Sequence, residues 1–220
     1  MKLVILAAGR GSRMKKLTKK LPKPMLLYNG INLLEHKMQV LPDSVNEIIL
    51  VIGYLGEKIK AYFGDSYKNI KITYVQQKEI KGTAHALWQC KHILNDPFIV
   101  LMGDDLYTKE DLQNMTLLPK NSWAILTYPI KQRTKASKII VDKKGNFREI
   151  YEDIDGTSPH NLIYTGACLL TPQLFSKDMI QISNGEYGLP QTICNFVNEK
   201  NIKVLKTENW IRITNPEDLK

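Results

Sequence analysis

Three cysteines in 220 residues, Cys90, Cys168 and Cys194, supply neither an even disulfide framework nor the spacing of a zinc site. Each lies in apolar sequence, as buried reduced thiols do, so a cytoplasmic compartment is expected. Long apolar runs are missing as well. The opening MKLVIL is cut short by Gly9 and Arg10, too early for a signal-peptide core, and no later stretch reaches membrane-spanning length. The four histidines show no metal or triad pattern, and there is neither a Gly-x-Ser-x-Gly elbow nor an activated cysteine, which disfavours covalent catalysis. No internal repeat, low-complexity tract or linker breaks the chain, and one domain over residues 1–220 is expected.

What is abundant is apolar residues and positive charge. A hydrophobic content of 43% builds a substantial core, and 31 Lys+Arg against 22 Asp+Glu leave a formal charge of +9. Such a charge suits nucleic acid, an anionic membrane or a polyphosphate. The lysines at 15, 16, 19, 20, 143 and 144 have no interleaved aromatics to stack bases, so no nucleic-acid partner is expected, and no membrane. The sequence leaves a homo-oligomer open.

Strand patterns at Lys2–Leu6, Glu47–Ile52, Ile70–Val75 and Pro97–Met102 alternate with helical patterns at Ile31–Leu41, Leu55–Phe63 and Gly82–Leu94. This is the βαβ rhythm of a doubly wound, mainly parallel, Rossmann-like α/β sheet. From Ser122 onward, strand runs follow one another with few helices, which predicts a small antiparallel lobe beside that sheet and a cleft between the two. A helix near Pro190–Glu199, a strand at Ile202–Lys206 and a segment around Trp210–Ile213 close the chain.

Three loops should meet at the carboxyl ends of the parallel strands. The first, LAAGRGSRM at residues 6–14, combines glycines with Arg13 and favours an anion. It is no dinucleotide fingerprint, since Met14 stands where the third small residue belongs, and no P-loop, since no Gly-Lys-Ser/Thr follows. The lysine assigned to phosphate comes later, at Lys23, held extended between Pro22 and Pro24; taken alone it reads as one more solvated lysine of a basic loop, and Arg13 and the glycine turn favour the phosphate role. The second loop, VLMGDDL, ends a strand with Asp104 and Asp105, where a carboxylate can hold Mg²⁺ or the aspartates can simply form a turn. In the third, QQKEIKGTAHAL, Gln77 offers a donor and an acceptor to a base edge, Gly82 leaves room for a flat ring, and Thr83 is placed to cap a helix. His85 reads as a hydrogen-bonding helix residue.

In order, "LAAGRGSRM…LPKPML", "GYLGEKIKAYFGD", "QQKEIKGTAHAL", "VLMGDD", "GNFREIYED", "YTGACLLTPQLF" and "WIRITNPEDL" resemble the motifs of the sugar-1-phosphate nucleotidyltransferases, the sugar-nucleotide pyrophosphorylases, over nearly the whole chain. The resemblance implies the nucleotide-diphospho-sugar transferase fold, with residues 1–120 as the nucleotide-binding half and 121–220 as the acceptor-binding half. It implies an Mg²⁺-dependent transfer of a nucleoside monophosphate from an NTP, UTP or dTTP by preference, to a sugar 1-phosphate, with pyrophosphate leaving. Carried over by position, Leu6, Ala8, Gly9, Gly11, Ser12, Arg13, Gln77, Gly82 and Thr83 would bind the nucleotide, Arg13, Lys23 and Asp104 would be catalytic, and Asp104 would hold the metal. Glu152, Thr165 and Gly166 would meet the acceptor.

The acceptor half departs from the family pattern. Asp153 stands where a lysine usually follows the glutamate, Arg212 where many members place a second metal-binding aspartate, Ser137 where a glycine is expected, and Tyr164 where a smaller or polar residue is common. Lys16 replaces a frequent proline in the first loop. These departures keep two alternatives open: a cytidylyltransferase acting on a non-sugar phosphate such as phosphocholine, and a relative that binds nucleotide or sugar without catalysis. The chain ends without hexapeptide repeats, and a minimal catalytic unit is expected.

Overall fold

The computed structural model describes residues 1–219. Four parallel strands, Phe98–Met102, Lys2–Ala7, Glu47–Ile52 and Ile70–Gln76, lie side by side in that order. Their apolar runs are continuous because both faces are covered, and alternation along each strand sorts the side chains between two cores. Leu3 and Ile5 join Ile48, Leu50, Leu34, Met38, Ile59 and Phe63 on one face. Val4 and Leu6 join Ile49, Val51, Leu87, Phe98 and Ile193 on the other.

The helices Leu33–Gln39 and Gly56–Phe63 cover the first face, and Thr83–Trp88 and Leu189–Cys194 the second. Asn32 caps the Leu33–Gln39 helix by accepting the Glu35 amide at 2.8 Å, and a Thr108–Asp111 capping box opens the helix Lys109–Thr116. Two helices are shorter than the sequence suggested. After Trp88 and after Cys194 the backbone bonds switch to the tighter i→i−3 pattern, as in Lys91 to Trp88 and Val197 to Cys194, so the chain continues as turns.

The antiparallel strands do not form a separate lobe. Leu162–Leu170 pairs its last residues with Phe98–Met102, while Ile163 near its start pairs with Lys138 in Ala136–Val141, which in turn pairs with Phe147–Asp153. Along its other edge Leu162–Leu170 holds Trp123–Pro129, which carries the parallel strand Ile202–Lys206. One ten-stranded sheet therefore runs through both halves, and its strand Leu162–Leu170 is shared between them. The last predicted segment is a two-residue strand, Ile211–Arg212, laid against Asp105–Leu106. Among the described residues no helix is long and apolar enough to cross a membrane.

Candidate active site

A cleft of about 840 Å³ opens at the carboxyl ends of the parallel strands. The first loop forms one wall from Leu6 to Arg13. Gly11 turns it in the left-handed region, at φ 63°, and a Cβ there would lie 2.7 Å from the Lys23 Cβ. That close approach brings the glycine loop against the lysine segment. The Gly11 carbonyl accepts from the Met14 amide at 2.9 Å and the Thr18 hydroxyl at 3.1 Å, fixing a turn that leaves Ser12 and Arg13 exposed.

Lys23 is buried, yet it lines the cleft. Its ammonium donates to Asp104 Oδ2 at 2.6 Å and to the Ile213 carbonyl at 2.6 Å. Lys23 is not held extended between the two prolines: Pro22 is extended, but Lys23 itself opens a short 3₁₀ turn, Lys23–Met25, and its carbonyl accepts the Leu26 amide at 3.0 Å. Asp104 and Asp105 follow Gly103, whose amide bonds to the Leu6 carbonyl at 2.9 Å and so ties the aspartates to the first loop. Burial, and then the charge of Asp104, push the Asp105 carboxyl well above the usual carboxylate range, while Lys37, Lys23 and Arg212 oppose that rise.

The third loop uses its residues differently from the sequence reading. Gln77 is buried, and its amide nitrogen donates to the Gly82 carbonyl at 3.2 Å and contacts His85 Nδ1 at 3.0 Å. Only its oxygen is left for a ligand. Gly82 sits at φ 96°, but the space above it is filled: a Cβ would meet the Tyr187 carbonyl oxygen at 2.5 Å and its nitrogen at 2.7 Å. It admits the backbone of residues 186–188 rather than a ring. Thr83 does not cap its helix; its hydroxyl accepts the Leu189 amide at 3.0 Å. A loop from the second half is thereby fastened to the wall formed by the third loop, and among the described residues Glu186 is the one beyond 120 that lines the cleft.

The acceptor candidates lie outside this cleft. Glu152 is exposed, with its two oxygens accepting from Ser137 at 2.8 Å and Gln191 at 3.0 Å. The Thr165 side chain is buried, its hydroxyl donating to the Leu126 carbonyl at 2.8 Å, while its own carbonyl accepts from Tyr107 at 2.8 Å. Gly166 packs on Met102, a cleft residue. The glycine position taken by Ser137 thus supplies a partner for Glu152. Asp153 is a structural residue: buried, it accepts the amides of Gly156, Thr157 and Ser158 on one oxygen at 3.0, 3.1 and 3.3 Å.

The description "Nucleotidyl transferase" belongs to a family model that matches residues 2–211. The chain is a member of the nucleotidyl transferase family. It is 30% identical to the UTP–glucose-1-phosphate uridylyltransferase AglF of Haloferax volcanii over 99% of this chain and 93% of that protein. It is 30% identical to the bifunctional protein GlmU of Methanocaldococcus jannaschii over its whole length, spanning 52% of that relative. Among solved structures, UDP-glucose pyrophosphorylase complexed with UDP-glucose superposes with a TM-score of 0.83 at 22% identity, over 99% of this chain and 95% of that one. An inositol-1-phosphate CTP transferase from T. maritima gives 0.81 at 24%, over 100% and 91%. Both confirm the fold.

In this nucleotidyltransferase the sequence reading missed Lys37 and Glu186. Lys37 is wholly buried on the Leu33–Gln39 helix, bonded only to the Leu33 carbonyl at 3.0 Å, and burial lowers its pKa from 10.5 to about 8 against the pull of Asp104 and Asp105. It stands between His36 and Met38 in a helical pattern, and no local signal marks it. Glu186 stands in a polar turn that only folding carries to the cleft. The cysteines are free, and burial pushes Cys90 and Cys168 up to about 12, so neither is a nucleophile. Among the described residues no three His, Cys, Asp or Glu side chains cluster as a metal cage. Asp104, whose other oxygen is free of Lys23, fits the alternative in which Mg²⁺ takes one carboxylate and completes its shell with water and substrate phosphates.

Proposed function

We propose that the protein joins an NTP, UTP or dTTP by preference, to a sugar 1-phosphate, giving a nucleotide sugar and pyrophosphate with Mg²⁺ as cofactor. The observation that carries this reading is the convergence of the glycine loop, Arg13, Lys23, Asp104 and Gln77 on one cleft. Backbone amides of the loop and the Arg13 fork suit the triphosphate, with Arg13 on the phosphates that leave. Gln77 offers its carbonyl oxygen to a base N–H, as the N3–H of uracil or thymine provides.

Lys23 changes partner in this scheme. Asp104 holds its ammonium in the free protein, and phosphate oxygens take it when the triphosphate enters. Asp104 would hold Mg²⁺, which supplies charge neutralisation at the reacting phosphates. An oxygen of the acceptor phosphate attacks the α-phosphorus as the bond to pyrophosphate breaks in line. That oxygen is already ionised, so alignment and charge neutralisation suffice and no general base is needed.

Pyrophosphate release is the direct test, with ATP, GTP, CTP, UTP and dTTP each paired with hexose 1-phosphates, N-acetylhexosamine 1-phosphates, inositol 1-phosphate and phosphocholine. Release with UTP or dTTP and one sugar 1-phosphate is expected. Release only with CTP and a non-sugar phosphate would replace the donor and acceptor assignment, and nucleotide binding without release from any pair would point to a binding protein.

A further inference from the structure

Arg212 is the next residue to Ile213, whose carbonyl holds Lys23 on Asp104, and it faces Asp105 across a two-strand ladder. It stands where the donor cleft meets the second half. On that second side its Nη1 donates to the Lys135 carbonyl at 3.3 Å, just before the strand Ala136–Val141, and its Nε donates to the Thr214 hydroxyl at 3.1 Å. Both acceptors are neutral, and no carboxylate pairs with Arg212 among the described residues. A guanidinium has five N–H donors, so most of the fork is free on an exposed side chain.

A second cation lies within its electrostatic reach. Lys138 is 0% exposed, and its ammonium has no hydrogen-bond partner. Burial disfavours its charged form, as does Arg212, while Asp153 favours it. Asp153, set diagonally to it on the neighbouring strand, does not pair with it: one Asp153 oxygen takes the three amides of the 153–158 turn and the other has no hydrogen-bond partner. A buried ammonium without a partner is costly, and a cation beside it raises that cost. An anion at the Arg212 fork relieves both.

We propose that Arg212, backed by the charge of Lys138, is the subsite for the phosphate group of the acceptor. The proposal rests on the nucleotidyl-transfer reading for its ligand, and on Arg212 and Lys138 alone for its place. The planar fork suits a phosphate dianion, and its ladder with Asp105 sets that phosphate beside Asp104 and Lys23, where the donor's α-phosphorus must come. The shared chemistry is a phosphate monoester, whether carried by a sugar or by a cyclitol.

Calorimetric titration of inorganic phosphate into the wild type, Arg13→Ala and Arg212→Ala tests the site without turnover. The wild type should show two classes of site; Arg212→Ala loses one and Arg13→Ala the other, with thermal unfolding unchanged in both. Arg212→Lys, which keeps the charge and loses the fork, should weaken its class about threefold. In steady state with UTP and glucose 1-phosphate, Arg212→Ala should raise the acceptor KM at least about tenfold and leave the UTP KM unaltered. A phosphate titration that Arg212→Ala leaves unchanged overturns the proposal, and so does a rise in the UTP KM in place of the acceptor KM. A wild type that binds phosphate through Arg212 yet releases no pyrophosphate with any substrate pair would sink the nucleotidyl-transfer reading and leave the subsite standing.

Discussion

The two halves of the molecule hold their polar groups in different ways. In the cleft of the first half, Arg13 and Ser12 are exposed, Gln77 keeps its oxygen free, and Lys23 and Asp104 are bonded to each other at 2.6 Å. In the second half, the Thr165 hydroxyl and one Asp153 oxygen are tied into backbone hydrogen bonds, and Glu152 is held by Ser137 and Gln191. A side chain with unused hydrogen-bonding capacity is available for a ligand; one whose groups are all satisfied by the fold contributes stability instead. Substitutions should therefore separate the two kinds of residue, with kinetic losses at Asp104, Lys23 and the free fork of Arg212 and stability losses at Thr165 and Asp153.

The largest expected effect is at Asp104. Asp104→Asn should lower kcat at least about 100-fold while circular dichroism and the melting temperature stay near wild type. An unchanged kcat would remove Asp104 from the metal position. Lys23→Ala should reduce kcat/KM by about tenfold or more through lost phosphate neutralisation. It should also lower the melting temperature modestly, because the 211–214 segment loses its tie at the Ile213 carbonyl. If only the melting temperature moves, Lys23 belongs with the structural residues and the contrast between the halves weakens.

Asp153→Ala should behave in the opposite way. Removing the shared acceptor of three amides, of which the Ser158 amide is buried, costs about 1–3 kcal/mol, seen as a lower midpoint in urea. The KM for NTP should not change. A raised acceptor KM with full stability would make Asp153 a ligand residue after all.

A further effect, confined to alkaline pH, is a pH dependence from Lys37. Its folded pKa of about 8 lies below the ordinary 10.5, so between those values the unfolded chain binds more protons and stability from this group rises with pH. Below pH 8 the penalty for the buried charge is fully present. Urea unfolding at pH 7.5 and pH 10 should show this gain in the wild type and lack it in Lys37→Met; equal pH slopes in the two proteins would show that Lys37 is not the source.

Much of the donor side was legible in the sequence because its information is local. Gly11 with φ above zero, the prolines around Lys23 and the aspartates after an apolar strand all follow from backbone preference and from the rule that loops gather at the carboxyl ends of parallel strands. Gly82 and Thr83 do line the cleft, but the same reading made Thr83 a helix cap and did not see that residues 187 and 189, about a hundred positions away in the chain, pack on the pair. A small residue marks a close approach without saying whether ligand or backbone fills it.

By itself, the sequence determined the parallel α/β core, the glycine loop and the cluster of donor-side groups, since hydrophobic periodicity and turn chemistry act over a few residues. Tertiary structure alone decided that the antiparallel strands continue the same sheet, that Asp153 gives one oxygen to its own turn, that Lys37 is buried near the aspartates, and that Arg212 is left with free donors. Whether a polar group is satisfied depends on what lies across space from it, and only the packed chain fixes that.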